Sequence, residues 1–228
     1  MSLREKQMTA RRGRILDAAG ALIRETGGTD FTMVEVADEA EVSPATPYNL
    51  FGSKNGLLYA LLNRSLDEVL RGVVSFSSPS ALEHPLEAAD TAAELFARDP
   101  VFYRPLFLVL LGVRDEVHRP RFMERSLDYW RHSLEAAARG KWLGGEVDRE
   151  ELSRALLIHF AGVLELWIHG DLDEAEFRAQ VTYGTALHLL ALAEGTTRAR
   201  LRKRMKEAKR RLPRRFSFLG TPSLAGVR

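Results

Sequence analysis

The sequence predicts an all-α protein. Apolar residues recur at helical spacing along the 228 residues, and strand-like alternation is sustained nowhere. Gly, Pro and Asp-Pro breaks cut the chain into pieces of helix length. Capping signatures open several of those pieces.

In order, a basic arm (Arg4, Lys6, Arg11, Arg12, Arg14) runs into a first helix expected from about Thr9 to Thr26. Ile15, Leu16, Ala19, Leu22 and Ile23 form its apolar stripe, and Gly27-Gly28 stops it. Thr32 opens a second helix, with Glu35 three residues on completing a capping box and Val34, Val36, Ala37 and Ala40 as its buried side. Ser43 as cap and Pro44 in the first turn start a short third helix, about Pro44 to Phe51, ended by Gly52. Ser53 caps a fourth, Lys54 to about Val74, striped by Leu57, Leu58, Leu61, Leu62, Leu66, Val69, Leu70 and Val73. Ser77-Ser78-Pro79-Ser80 reads as a linker.

Five or six helices are expected beyond it, over about 85–98, 101–113, 119–140, 148–169 and 173–194. Breaks fall at Asp99-Pro100, Arg119-Pro120, Gly144-Gly145 and Gly170-Asp171, and Asp148 with Glu151 makes another capping box. Segment 197–212 is basic, with an apolar line at Leu201, Met205, Ala208 and Leu212, and Pro213 ends it. The chain thus divides into a head (1–53), a helical body (54–196) and a basic C-terminal helix and tail (197–228).

The net charge of +2 conceals an asymmetry. Residues 198–215 hold 11 Lys and Arg against one acid, Glu207, leaving 22 basic and 30 acidic residues elsewhere, a net −8. The high pI therefore belongs to the tail, and an argument for nucleic acid must come from local residues. The absence of Cys excludes disulfides, thiol catalysis and Cys-ligated metal. The N-terminus shows no signal-peptide core, and the longest apolar run, about Leu106 to Val113, is far short of the roughly 20 residues of a membrane span. A cytoplasmic protein is expected. The six His show no metal-ligand spacing, and neither a Gly-rich phosphate loop nor a Gly-x-Ser-x-Gly elbow is present. No enzyme activity, cofactor or metal is expected.

Residues 32–51 have the form of a helix-turn-helix: two short helices joined by a tight connection. The second must present side chains to base edges while anchoring on the first. Ala45 is small enough for close approach to a groove and a thymine methyl; Thr46 and Asn49 can hydrogen-bond bases or phosphates; Tyr48 offers an aromatic body with a hydroxyl tip. Leu50 and Phe51 fix the helix to its scaffold. The bland readings are capping alone for Thr32 and Ser43, a half-buried turn aromatic for Tyr48, and solvated charge for Arg11 and Arg12.

The stretch from Thr9 to Leu62 resembles the TetR (tetracycline-repressor) family of regulators. The parts that match, in order, are Ile15-Leu16-Asp17-Ala18-Ala19, the Thr32-capped helix with Val36-Ala37, Val42-Ser43, Tyr48, Phe51, Ser53-Lys54 and Leu57-Leu58. The resemblance implies a three-helix DNA-binding head joined through the fourth helix to a ligand-binding, dimerising body. It places Thr32 and Lys54 on phosphates, Lys54 aided by the helix N-terminal dipole. It puts Thr46, Tyr48 and Asn49 in the major groove and Arg11 and Arg12 near the minor groove, with Ser43 and Ala45 completing the DNA-facing set. Two departures stand out: Ala45-Thr46-Pro47-Tyr48 where members commonly have Gly-Thr-Leu-Tyr, and Leu50 where Tyr or His is common. Pro47 lacks a donor and suits a helix only in its first turn.

By the same resemblance the body holds a small-molecule cavity. The expected lining is Phe102, Tyr103, Phe107, Trp130, His159 and Trp167, although aromatics at helical spacing are more often plain core. Such a ligand would be hydrophobic or amphipathic. Helices 148–169 and 173–194 are the expected homodimer elements, with Gly162 and Gly184 allowing close approach. The whole then reads as a repressor on a pseudo-palindromic double-stranded operator, released by its ligand. Two alternatives are a DNA-binding regulator governed by a protein partner, without a small molecule, and an all-α enzyme or carrier.

Overall fold

A computed structural model describes residues 2–72, 76–112, 114–140, 142–143 and 147–213. Its helices are α1 (Leu3–Thr26), α2 (Met33–Glu39), α3 (Ala45–Phe51), α4 (Lys54–Gly72), α5 (His84–Arg98), α6 (Pro100–Gly112), α7 (His118–Ser133), α8 (Glu135–Arg139), α9 (Arg149–Ile168), α10 (Glu174–Leu190) and α11 (Gly195–Lys209), with a 3-10 turn at Ala81–Glu83. The expected ends of the fourth and sixth helices at Val74 and Val113, and the Gly144-Gly145 break, lie outside the described residues.

Two expectations need correction. The basic arm is not an extension before the first helix but its first turns. Ser2 accepts from the Glu5 amide and Glu5 reaches back to Ser2, a capping box that starts α1 six residues before Thr9. The expected single helix over 119–140 is two, α7 and α8, parted at the fully buried Leu134.

Packing groups the described residues into two compact units. The first comprises residues up to Arg71 together with Asp99–Ser126. Its core holds Ile15, Ala19 and Ile23 of α1, Val36 and Ala37 of α2, and Leu57, Leu58, Leu61 and Leu62 of α4. Polar ties fasten α1 to its neighbours: Arg64 of α4 pairs with Asp17 at 2.6 Å, and Arg24 pairs with Asp99 at 2.8 Å while lying 4.4 Å over the Phe102 ring. Arg125 of α7 bonds Asn63 and Asp67 of α4. Asp115 accepts from the backbone amides of Val117 and His118 and so begins α7. Burial would raise its carboxyl, but these bonds and the His118 ring bring it down to about 2.

The second unit comprises Gly72–Arg98 and the chain from Leu127 onward. A run of rings fills it: Phe96 and Trp130 meet Phe160, and Phe160 meets Phe177, which stacks on Trp167 at 4.8 Å. The buried Tyr129 hydroxyl donates to the Ala88 carbonyl at 2.6 Å. Helix α11 lies on this core through Leu201 and Ala208 and is pinned by Arg200 on the buried Glu83 carboxylate and Arg204 on Asp90.

Between α2 and α3 the chain turns at Glu41, the only non-glycine residue with positive φ (52°) among those described. Left-handed backbone costs a side-chain-bearing residue roughly 1–2 kcal/mol, whereas glycine adopts it freely. Glu41→Gly is therefore expected to stabilise the protein by about 0.5–1 kcal/mol, offset by glycine's larger chain entropy. A urea midpoint that falls on substitution would contradict this.

Candidate nucleic-acid interface

Helix α3 is built so that one side is apolar and seated while the other stands outward. Pro47 and Phe51 are buried; Ala45, Tyr48 and Asn49 are exposed, Tyr48 at 50%, and Thr46 is half-buried. Pro47 is the third residue of the helix, where the backbone N–H would have no intrahelical acceptor, so its missing donor costs nothing and its ring serves as core. At the other end the Gly52 amide donates to the Tyr48 carbonyl at 2.8 Å, and Gly52 adopts positive φ (75°), closing the helix.

Ser43 differs from expectation. Its hydroxyl makes no cap to a backbone amide; it pairs with the Thr46 hydroxyl at 2.8 Å, and the Ser43 carbonyl accepts from the Thr46 amide. Pro44, with helical φ and ψ, occupies the capping position instead. Ser43 and Thr46 thus form a hydroxyl pair on the exposed edge of the α3 entry.

Thr32 caps α2 as expected. Its hydroxyl accepts from the Glu35 amide at 3.2 Å and donates to the Glu35 carboxylate at 2.8 Å, which also accepts from the Thr32 amide at 2.6 Å. These Thr32 bonds, backbone first, hold the Glu35 carboxyl below its ordinary value, and the Lys54 charge adds to the effect. Lys54 itself begins α4 with its ammonium 5.0 Å over the Phe31 ring, so it stands beside the start of α2. Ser53 accepts from the Gly56 amide and satisfies one of the free donors there.

Arg12 has a structural task that no local pattern signals. Its guanidinium donates to the Leu50 carbonyl at 3.0 Å and lies 4.2 Å over the Phe51 ring, fastening α1 to the end of α3. Arg11 is exposed on the neighbouring face of α1 with no such tie. The structure therefore brings Thr32, Lys54, Ser43, Thr46, Tyr48 and Asn49 together on the α2–α3–α4 elements of the first unit, with Arg12 beneath α3. Notably, α3 carries no charged residue.

The six residues expected around a ligand belong to both units. Phe102, Tyr103 and Phe107 are buried in α6 of the first unit; Trp130, His159 and Trp167 are in the second. None of them lines the two described surface clefts, one beside α11 at Leu86 and Arg200, the other at Glu94 and Arg178. His159 packs against Gly184, 5.3 Å from the His188 ring, and its buried Nε2 has no hydrogen-bond partner, nor has the buried Thr185 hydroxyl. Burial and then His188 push the His159 imidazole below its ordinary pKa, towards the neutral form. Ile158 (70% exposed) and Leu187 (50%) stand outward on α9 and α10, and Gly162 is exposed with open space before it. Among the described residues no three His, Asp or Glu converge as metal ligands, and no helix is long and apolar enough to cross a membrane.

Residues 15–61 match the model of the bacterial regulatory proteins of the tetR family. The HTH-type transcriptional regulator BetI of Brucella canis is 29% identical over 113 residues, which is 48% of this chain and 57% of the relative. BetI of Rhizobium meliloti is 34% identical over 95 residues, 40% of this chain and 47% of the relative. The chain thus matches about half the length of such relatives. A TetR transcriptional regulator from a Rhodococcus species superposes with a TM-score of 0.67 at 23% identity, over 82% of this chain and 100% of that one. TylP, a TetR regulator from Streptomyces fradiae, does so at 0.62 and 20% identity, over 89% and 97%. At these identities the structural likeness is one of fold.

Proposed function

We propose, on the match of residues 15–61 to the model of the bacterial regulatory proteins of the tetR family, that the chain is a cytoplasmic transcriptional regulator of that family, not an enzyme, that binds a double-stranded operator as a homodimer. One observation carries the reading. The apolar residues of α3 are seated and its exposed face offers Ala45, Tyr48 and Asn49, a helix held for insertion into a groove. Thr46, Tyr48 and Asn49 read base edges, while Thr32, Lys54 and the Ser43 hydroxyl set register on phosphates. Arg11 supplies a cation at the edge of the head, and Arg12 acts by holding α3.

Dimerisation falls to α9 and α10, where Ile158 and Leu187 leave large apolar side chains in water, each worth about 1.5–3 kcal/mol if covered. We assign the protein a repressor's role, released by a hydrophobic or amphipathic small molecule. The unpartnered His159 Nε2 and Thr185 hydroxyl support a polar anchor for such a ligand, since a buried polar group without a partner costs about 1–3 kcal/mol. Control by a protein partner without any small molecule is the second reading, favoured by the tight packing of the expected cavity aromatics as core.

Selection from a random duplex pool with the full chain tests this reading. It is expected to enrich two-fold symmetric sequences with half-sites about 34–36 Å apart, one helical turn, bound by two chains. Ile158→Asp with Leu187→Asp is expected to give monomers and to lose the symmetric preference. A pool that remains unenriched sinks the proposal.

A further inference from the structure

Helix α11 uses its charges in two ways. On its inner side Arg200 and Arg204 are spent on Glu83 and Asp90, and Leu201 and Ala208 are buried. Arg202, Lys203, Lys206 and Lys209 of α11 and Arg210 just past its end are all exposed, and none pairs with an acid among the described residues, while Lys203 borders the cleft that Glu83, Glu87 and Glu207 also line. Eight residue steps of helix rise about 12 Å, so one cation stands every 2–3 Å along this face. Double-stranded DNA carries one phosphate charge per about 1.7 Å of axis, a comparable density. Such a row of like charges repels itself, and an extended anion relieves that repulsion. Beyond Glu207 the sequence has no Asp or Glu at all.

We infer that the outer face of α11 binds double-stranded nucleic acid through its phosphates, without sequence preference. The chemistry of the face selects this occupant. A lipid surface would need the apolar side of α11, which is already covered by its own unit. A protein partner would need an apolar centre, and the outer face offers none. Single strands call for aromatic platforms, and α11 has no aromatic residue. A duplex backbone needs only Lys and Arg at the right density. The inference rests on the DNA-binding reading of the chain only for its purpose; the α11 surface stands alone as a binding face.

The test compares the full chain with a variant carrying Arg202→Gln, Lys203→Gln, Lys206→Gln, Lys209→Gln and Arg210→Gln, on a random-sequence duplex titrated with salt. Each phosphate contact contributes about 0.9 to the slope of log affinity against log salt. The variant is expected to bind at least tenfold more weakly at low salt, with the slope reduced by about 2–4, and to melt at the same temperature. If the variant binds the random duplex like the unmodified chain, the inference falls while the operator reading stands. Loss of binding to polyglutamate or to anionic vesicles with duplex binding intact also overturns it. Loss of duplex binding in a protein that enriches no operator supports the α11 surface and removes the operator reading instead.

Discussion

Gly56→Ala is expected to unfold or disable the head, lowering the thermal midpoint by roughly 10 °C and abolishing operator binding. Gly56 sits in the first turn of α4, in the first unit. A Cβ there would fall far inside van der Waals contact with the Phe51 carbonyl oxygen, and 3.2 Å from His118 Nε2. The obstacle is backbone, so no rotamer change relieves it. Either α3 must lift from α4 or the α4 entry must move. Overpacking of this kind costs about 1–3 kcal/mol where side chains can yield and more where they cannot. The site also faces the end of the reading helix, so a small displacement is passed to Tyr48 and Asn49. Gly13→Ala is the matched control. It lies inside α1, an added Cβ meets nothing within 4 Å, and helix propensity alone favours alanine by up to about 1 kcal/mol. The same substitution is thus expected to have opposite signs 43 positions apart. Thermal melts of both proteins check this, and equal midpoints would refute the close-approach account.

Tyr48→Ala is expected to weaken binding to the selected operator by about 10–100-fold while leaving stability within about 0.5 kcal/mol. The side chain is half exposed and outward, and the hydrogen bond that closes α3 uses the Tyr48 carbonyl, not its ring. Removing the ring therefore takes away contact surface and a hydroxyl without releasing the helix end. A purely structural Tyr48 would give the reverse pattern: a lower melting temperature with an unchanged dissociation constant. Anisotropy titration on the operator, with a melt alongside, separates the two.

Much of this architecture is legible because it is local. The capping boxes at Thr32 and Glu35, Asp148 and Glu151 are written in four consecutive residues, and the structure forms both. The same device at Ser2 and Glu5 was open to the same reading, yet the cluster of Arg and Lys behind it resembles a loose arm. Pro47 was readable as a first-turn proline, and its burial follows from α3 packing that only three dimensions reveal. The break at the buried Leu134 has no Gly or Pro to announce it. The bond of Arg12 to Leu50 spans 38 positions, and no periodicity encodes it. For the ligand residues, sequence spacing registers aromatic richness and does not say which unit each ring joins.

The charge-free character of α3 has a consequence for how such a protein would choose among sites. Ionic strength acts on attraction between cations and phosphates, which every stretch of duplex offers equally. Hydrogen bonds and methyl contacts from Ala45, Thr46, Tyr48 and Asn49 carry no net charge and so release no counterions. A rise in cellular salt then loosens the protein from good and poor sites by the same factor. Occupancy changes, while the ranking of targets, and the ratio between best and second best, is preserved.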